Sequence, residues 1–156
     1  MFVKRGEKEM QSPHDPIADR ADFFAANMRR DRVRSVTKII LYDLEFPVNC
    51  EGFDFLEIAI PLACSMPRPI NLQEVYRETA QVCSGYQEAS ISVAVQDSIV
   101  KAWKSRFDGR WNLYFPDYVI RRKKTPTSKE FIKAIVGFMD MWQDSYEKEA
   151  ASYERT

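Results

Sequence analysis

Residues able to carry chemistry are scattered along this chain, and few stand at spacings that catalysis or metal binding requires. His14, the only histidine, lies in a polar segment flanked by Pro13 and Pro16 with no cysteine near it. Cys50, Cys64 and Cys83 are widely spaced and form no Cys-x-x-Cys pair. A zinc site of the Cys/His type is therefore not expected, and the thiols read as reduced core residues. Glu51 and Asp54 would fall on adjacent turns of one helix face, a spacing that metal or acid/base work can use but that ordinarily marks solvated surface. The chain contains no Gly-rich phosphate loop, no His-Glu-x-x-His and no Gly-x-Ser-x-Gly. The reading is a protein that is not an enzyme, with no cofactor and no metal.

A different chemistry is written in residues 89–104. Ile91, Val95, Ile99 and Trp103 recur every four residues and define a buried helical stripe. That stripe leaves Ser90, Ser92, Val93, Gln96 and Asp97 at other early positions, short groups able to reach base edges in a major groove about 12 Å wide. Gln96 could pair bidentately with adenine, Asp97 could accept from cytosine, and the serines are tolerant donors. Lys101 and Lys104, with Arg121, Arg122 and Lys123, are candidate phosphate contacts. Between positions 101 and 124 the cations, which also include Arg106, Arg110 and Lys124, face only Asp108 and Asp117. A formal net charge of zero argues mildly against nucleic acid. The charge is nevertheless polarised, because Asp43, Glu45, Glu51, Asp54 and Glu57 form a segment without a basic residue.

The elements that must position these groups are helices. The 156 residues suffice for one core, and 45% hydrophobic content with five glycines excludes a low-complexity chain. Residues 1–32 read as a disordered or partly helical extension, with a short helix over 17–27 and a basic run at Arg29, Arg30, Arg32 and Arg34 that fits a solvated helix face or an arm on DNA. Residues 33–146 form the folded domain, and 147–156 a polar tail expected to fray.

Within the domain, Val33, Val36, Ile40 and Leu44 predict a helix stopped by Pro47, and Phe53, Leu56 and Ile60 a second that Pro61 ends or kinks. Asn71 with Glu74 opens a third helix through Val75, Tyr76 and Ala80, and Ser84-Gly85 separates it from the helix beginning near Ala89. Gly109, Pro116 and the β-leaning Tyr118-Val119-Ile120 suggest an irregular segment with a short helix over 111–115. Thr127 with Glu130 is a second capping box, opening a helix with Phe131, Ile135, Phe138 and Trp142 on one face. The fold class is all-α, with five or six helices and a helix-turn-helix. No apolar run approaches the ~18 residues of a membrane span and no signal peptide is visible, so a cytoplasmic location is expected.

Residues Phe46-Pro47, Gly52-Phe53, 56–60, Tyr76, Ala80, Ala94, Ile99, Ala102-Trp103, Phe115, Val119, Lys123, Pro126-Thr127 and Glu130-Phe131-Ile132 together resemble a known family, the DNA-binding effector domain of the sporulation response regulator called stage 0 sporulation protein A. The resemblance covers roughly residues 38–138, about two thirds of the chain. It implies a winged-helix-like effector domain acting in transcription regulation on double-stranded DNA, as a dimer or beside a related regulator. Most matches are apolar or capping residues, so they speak for fold before ligand. The family reads its operator through a glutamate, arginines and a histidine, whereas the matching positions here hold Ser90, Ser92, Val93, Gln96 and Asp97. The roughly 35 residues ahead of the match cannot hold the family's receiver domain. Two functions follow as expectations: a stand-alone DNA-binding regulator with altered base specificity, or a diverged protein-interaction module that no longer binds DNA.

Overall fold

The computed structural model describes the backbone of residues 16–154 and the side chains of residues 28–153. Met1 to Asp15, with His14, lie outside the described residues, as do Arg155 and Thr156. The chain divides into two units, Met1–Arg32 and Val33–Thr156. Among the described residues every regular element is a helix: α1 (Pro16–Asp43), α2 (Glu51–Cys64), α3 (Leu72–Val82), α4 (Glu88–Lys104), α5 (Asp108–Trp111), α6 (Asp117–Arg121) and α7 (Ser128–Glu154). The all-α class is therefore correct. No strand occurs among the described residues.

Helix α1 is continuous where a short helix, a basic run and a second helix were expected, because residues 17–43 contain neither glycine nor proline. From Val33 onward it buries Val33, Thr37, Ile40 and Leu41. Its end is a Schellman-type closure: Phe46 N–H donates to Leu41 O at 3.0 Å around Glu45, whose φ of 60° is left-handed. Pro47 then prevents resumption.

Helix α2 is the central element, packed against α3, α4 and α7, and it buries Phe53, Phe55, Leu56, Ala59, Ile60 and Ala63. Pro61 does not end it, and the helix continues to Cys64. Burial of Ile60 and Ala63 on both sides of the proline offsets the lost hydrogen bond, and Arg68 caps the exit by donating to the carbonyls of Ala63 and Met66 while pairing with Asp140 at 2.9 Å. Gly52 marks the crossing with α4: a Cβ there would lie 2.4 Å from Ala94 O and from Ser98 Oγ.

Asn71 opens α3 as expected, its Oδ1 accepting from Glu74 N–H at 3.2 Å. Gly85, at φ 97°, makes the turn to α4. The segment after α4 is more helical than its composition suggested. Single-turn α5 and α6 replace an irregular stretch and bring the count to seven, because burying Val119 and Ile120 rewards a turn that β-branched residues disfavour on their own. The tail is also helical, α7 running to Glu154, since no glycine or proline follows Gly137 and residues 147–151 are strong helix formers. At the heart of the core Trp111, 1% exposed, stacks on Phe46 and Phe115, tilts against Phe131 and meets Trp103 edge-on, at centroid distances of 5.1–6.4 Å.

Candidate nucleic-acid interface

Helix α4 carries the two faces that its period predicts. Ile91, Val95, Ile99 and Trp103 are buried together with Ser98 and Ala102, and α2, α3 and α7 pack around them. Ser90, Val93, Asp97, Lys101 and Lys104 are exposed, Val93 at 62%. These side chains fall on one side of the cylinder, at three- and four-residue steps. Ser92 is half-buried at its margin.

Gln96 behaves differently from the sequence expectation. Its Oε1 accepts from Ser128 N–H at 3.0 Å and from Ser128 Oγ at 2.7 Å, while its Nε2 donates to Pro126 O at 3.4 Å. The side chain is thus committed to the start of α7 and is not free to pair with adenine. It fastens the α6–α7 connection to the flank of α4. The residue that sequence reasoning missed is Ser128, whose only signal was its place directly after the Thr127 cap.

That connection carries the basic cluster. Arg121, Arg122, Lys123 and Lys124 are exposed as α6 ends, and Lys123 adopts a left-handed φ of 55° with its N–H donating to Ile120 O at 3.2 Å. Arg122 is paired with Glu130 at 2.7 Å. Glu130 also accepts from Thr127 N–H at 3.0 Å while Thr127 Oγ1 accepts from Glu130 N–H at 3.1 Å, the reciprocal capping box that the sequence predicts. The Arg122 guanidinium and then the Thr127 amide hold the Glu130 carboxyl at about 2, well below its ordinary 4.5. Lys124 belongs with the candidate phosphate contacts, and its signal was simply its place in the same run. Arg106 does not: it stacks 4.0 Å over Trp103 and pairs with Asp108 at 2.9 Å.

The N-terminal end of α4 is acidic. Glu88 is exposed in the first turn of α4. In the turn before it, a hydrogen bond to Glu51 raises the Tyr86 hydroxyl, and burial with the nearby Asp54 charge raises the Cys83 thiol. Glu51 and Asp54 therefore shape the electrostatics of the turn. The polarity of the surface runs from carboxylates at the N-terminus of α4 to cations along its C-terminal half and the α6–α7 connection.

Among the described residues no group of three or more His, Cys, Asp or Glu could hold a metal ion. The three cysteines are free and half-buried, and burial pushes the Cys64 thiol up to about 12. No helix among the described residues is long and apolar enough to cross a membrane. No protein-family model matches the chain, and no curated protein matches it.

Proposed function

We propose that the chain is a duplex-DNA-binding module of the helix-turn-helix kind, acting in transcription regulation inside the cell, in line with its resemblance to the sporulation effector domain. Its role is binding rather than catalysis. Helix α4 lies in the major groove, with Ser90, Val93 and Asp97 toward the base edges and Lys101, Lys104, Arg121, Lys123 and Lys124 toward phosphates. The observation that carries this reading is the Gln96 clamp to Pro126 and Ser128, which holds the cationic connection beside the exposed face of α4. A groove-reading helix needs phosphate-binding groups at its side, and an unanchored loop would supply them less effectively. With Gln96 withdrawn, base discrimination falls to few groups and affinity is mainly electrostatic.

The test is a titration of labelled duplexes, random and selected, across salt concentration. The expected result is binding at low salt whose logarithm falls linearly with log salt by about 0.9 for each phosphate contact. No binding of any duplex at low salt rejects the reading.

The acidic turn, with Glu88, Glu51 and Asp54, and the exposed Val93 favour a second reading in which this face docks a protein, such as a second copy or a related regulator. It predicts no DNA binding at any salt, together with a self-association or regulator complex that Val93→Asp abolishes.

A further inference from the structure

A groove on another face of the molecule has the shape and charge of a docking site. It lies between the α5–α6 segment and α7, encloses about 540 Å³, and is lined largely by apolar side chains. Three of them, Leu113 (64% exposed), Tyr118 (62%) and Met141 (70%), come from separate elements and converge on this groove although each is mostly open to solvent. Scattered exposed hydrophobics are ordinary on a protein surface, but a contiguous set around a concavity marks a contact site.

Helix α7 adds a second observation. Gly137 stands in the middle of this 27-residue helix, where glycine is the weakest helix former after proline, and a Cβ placed there would meet nothing within 4 Å. Neither close packing nor backbone conformation within the chain requires that glycine. It leaves the α7 backbone bare at the groove, the gap that lets the ridge of another helix approach closely.

Charge selects the occupant. Lys129, Lys133, Gly137 and Met141 follow one another at four-residue steps along α7, and all four are exposed. Glu130 in the groove wall is taken up by Arg122 and Thr127, and Asp140 is taken up by Arg68. Lys129 and Lys133 have no such partner among the described residues, so the row is apolar at one end and cationic at the other.

We infer that this groove receives an amphipathic helix of a partner protein, its apolar stripe set against Leu113, Tyr118, Gly137 and Met141 and its acidic side chains against Lys129 and Lys133. The inference does not depend on DNA binding.

The test uses the full chain, isotope-labelled, and two synthetic helices of roughly fifteen residues, one with Leu and Phe on one stripe flanked by Glu, the other with Lys replacing each Glu. Chemical shifts centred on Leu113, Tyr118 and Gly137 with the acidic peptide, and binding of the Lys peptide weaker by about tenfold or more, are expected. Lys133→Glu should invert the preference. Gly137→Leu should abolish binding of both peptides while thermal melting shows a folded helix. Failure of the acidic peptide to bind, equal binding of the two peptides, or shifts centred elsewhere overturns the inference. So does a concentration-dependent dimer in sedimentation that Met141→Asp dissociates, since the occupant is then a second copy.

Discussion

Gln96 on α4 accepts two hydrogen bonds from Ser128, the first residue of α7, and by doing so satisfies one of the amides that a helix start leaves without an intrahelical partner. The same side chain donates to Pro126 O. Three elements are joined through one amide group: the candidate groove-reading helix, the basic connection and the final helix. A residue whose type suits adenine recognition is instead the fastening that sets where the cations stand.

Gln96→Ala should therefore act on stability and on overall affinity, not on base preference. Removing the acceptor leaves the buried Ser128 groups without it, a loss of about 1–3 kcal/mol by urea denaturation. A selection from random duplexes should return the same sequences for the variant as for the parent, with weaker binding throughout. A changed consensus would show that the side chain reads bases after all.

The helical period of α4, the Asn71 cap, the Thr127–Glu130 capping box and the Gly85 turn were legible because each rests on local spacing. Gln96 was not, since nothing in the sequence announces that residues 126 and 128 return to its side. The helices at Tyr118-Val119-Ile120 and beyond Pro61 were hidden for a related reason: burial of Val119, Ile120 and Ala63 overrides an unfavourable local preference, and burial is decided by distant segments. The α6–α7 groove was invisible because Leu113, Tyr118 and Met141 are isolated apolar positions until the fold gathers them.

Two glycines should respond with opposite signs. Gly52→Ala drives a methyl group to 2.4 Å from the Ala94 carbonyl at the α2–α4 crossing, and should cost about 1–3 kcal/mol as the helices part. Gly137→Ala meets open space in a helix interior and should stabilise by about 1 kcal/mol. Paired denaturation curves check both, and a neutral Gly52→Ala would contradict the close crossing.

Cys64 should resist modification in the native protein. Burial first, and then the Asp140 charge, push its thiol up to about 12, so the reactive thiolate is scarce at neutral pH. Iodoacetamide labelling followed by mass spectrometry should find Cys64 unlabelled until denaturant is added. Rapid native labelling would show that the C-terminal end of α2 opens.

Stability should carry an acid limb set by Glu130. Its carboxyl titrates at about 2 when folded and near 4.5 when unfolded, so the contribution is complete above pH 4.5 and is lost as pH falls toward 2. Urea midpoints measured across that interval should fall more steeply for the parent than for Glu130→Gln, which cannot titrate. Parallel curves would mean that the Arg122 and Thr127 contacts do not hold the carboxylate in solution.

Among the cations of the α6–α7 connection, pairing should decide which ones matter for DNA. Arg122 is held by Glu130 at 2.7 Å, so part of its charge is already neutralised, whereas Lys123 and Lys124 are exposed in the same connection. Lys123 needs a substitution that preserves its left-handed φ of 55°, and glycine removes the charge without straining the backbone. Lys123→Gly and Lys124→Ala should each lower the salt dependence of duplex binding by about 0.9 in slope, weakening all sequences alike. Arg122→Ala should change the slope less than either. Glu130→Ala, by releasing Arg122, should tighten binding at low salt even though it removes a cap and lowers stability by about 1 kcal/mol. Slopes that do not move for either lysine would separate the basic connection from DNA altogether, while a larger loss for Arg122→Ala would show that DNA breaks the Arg122–Glu130 pair to take the guanidinium.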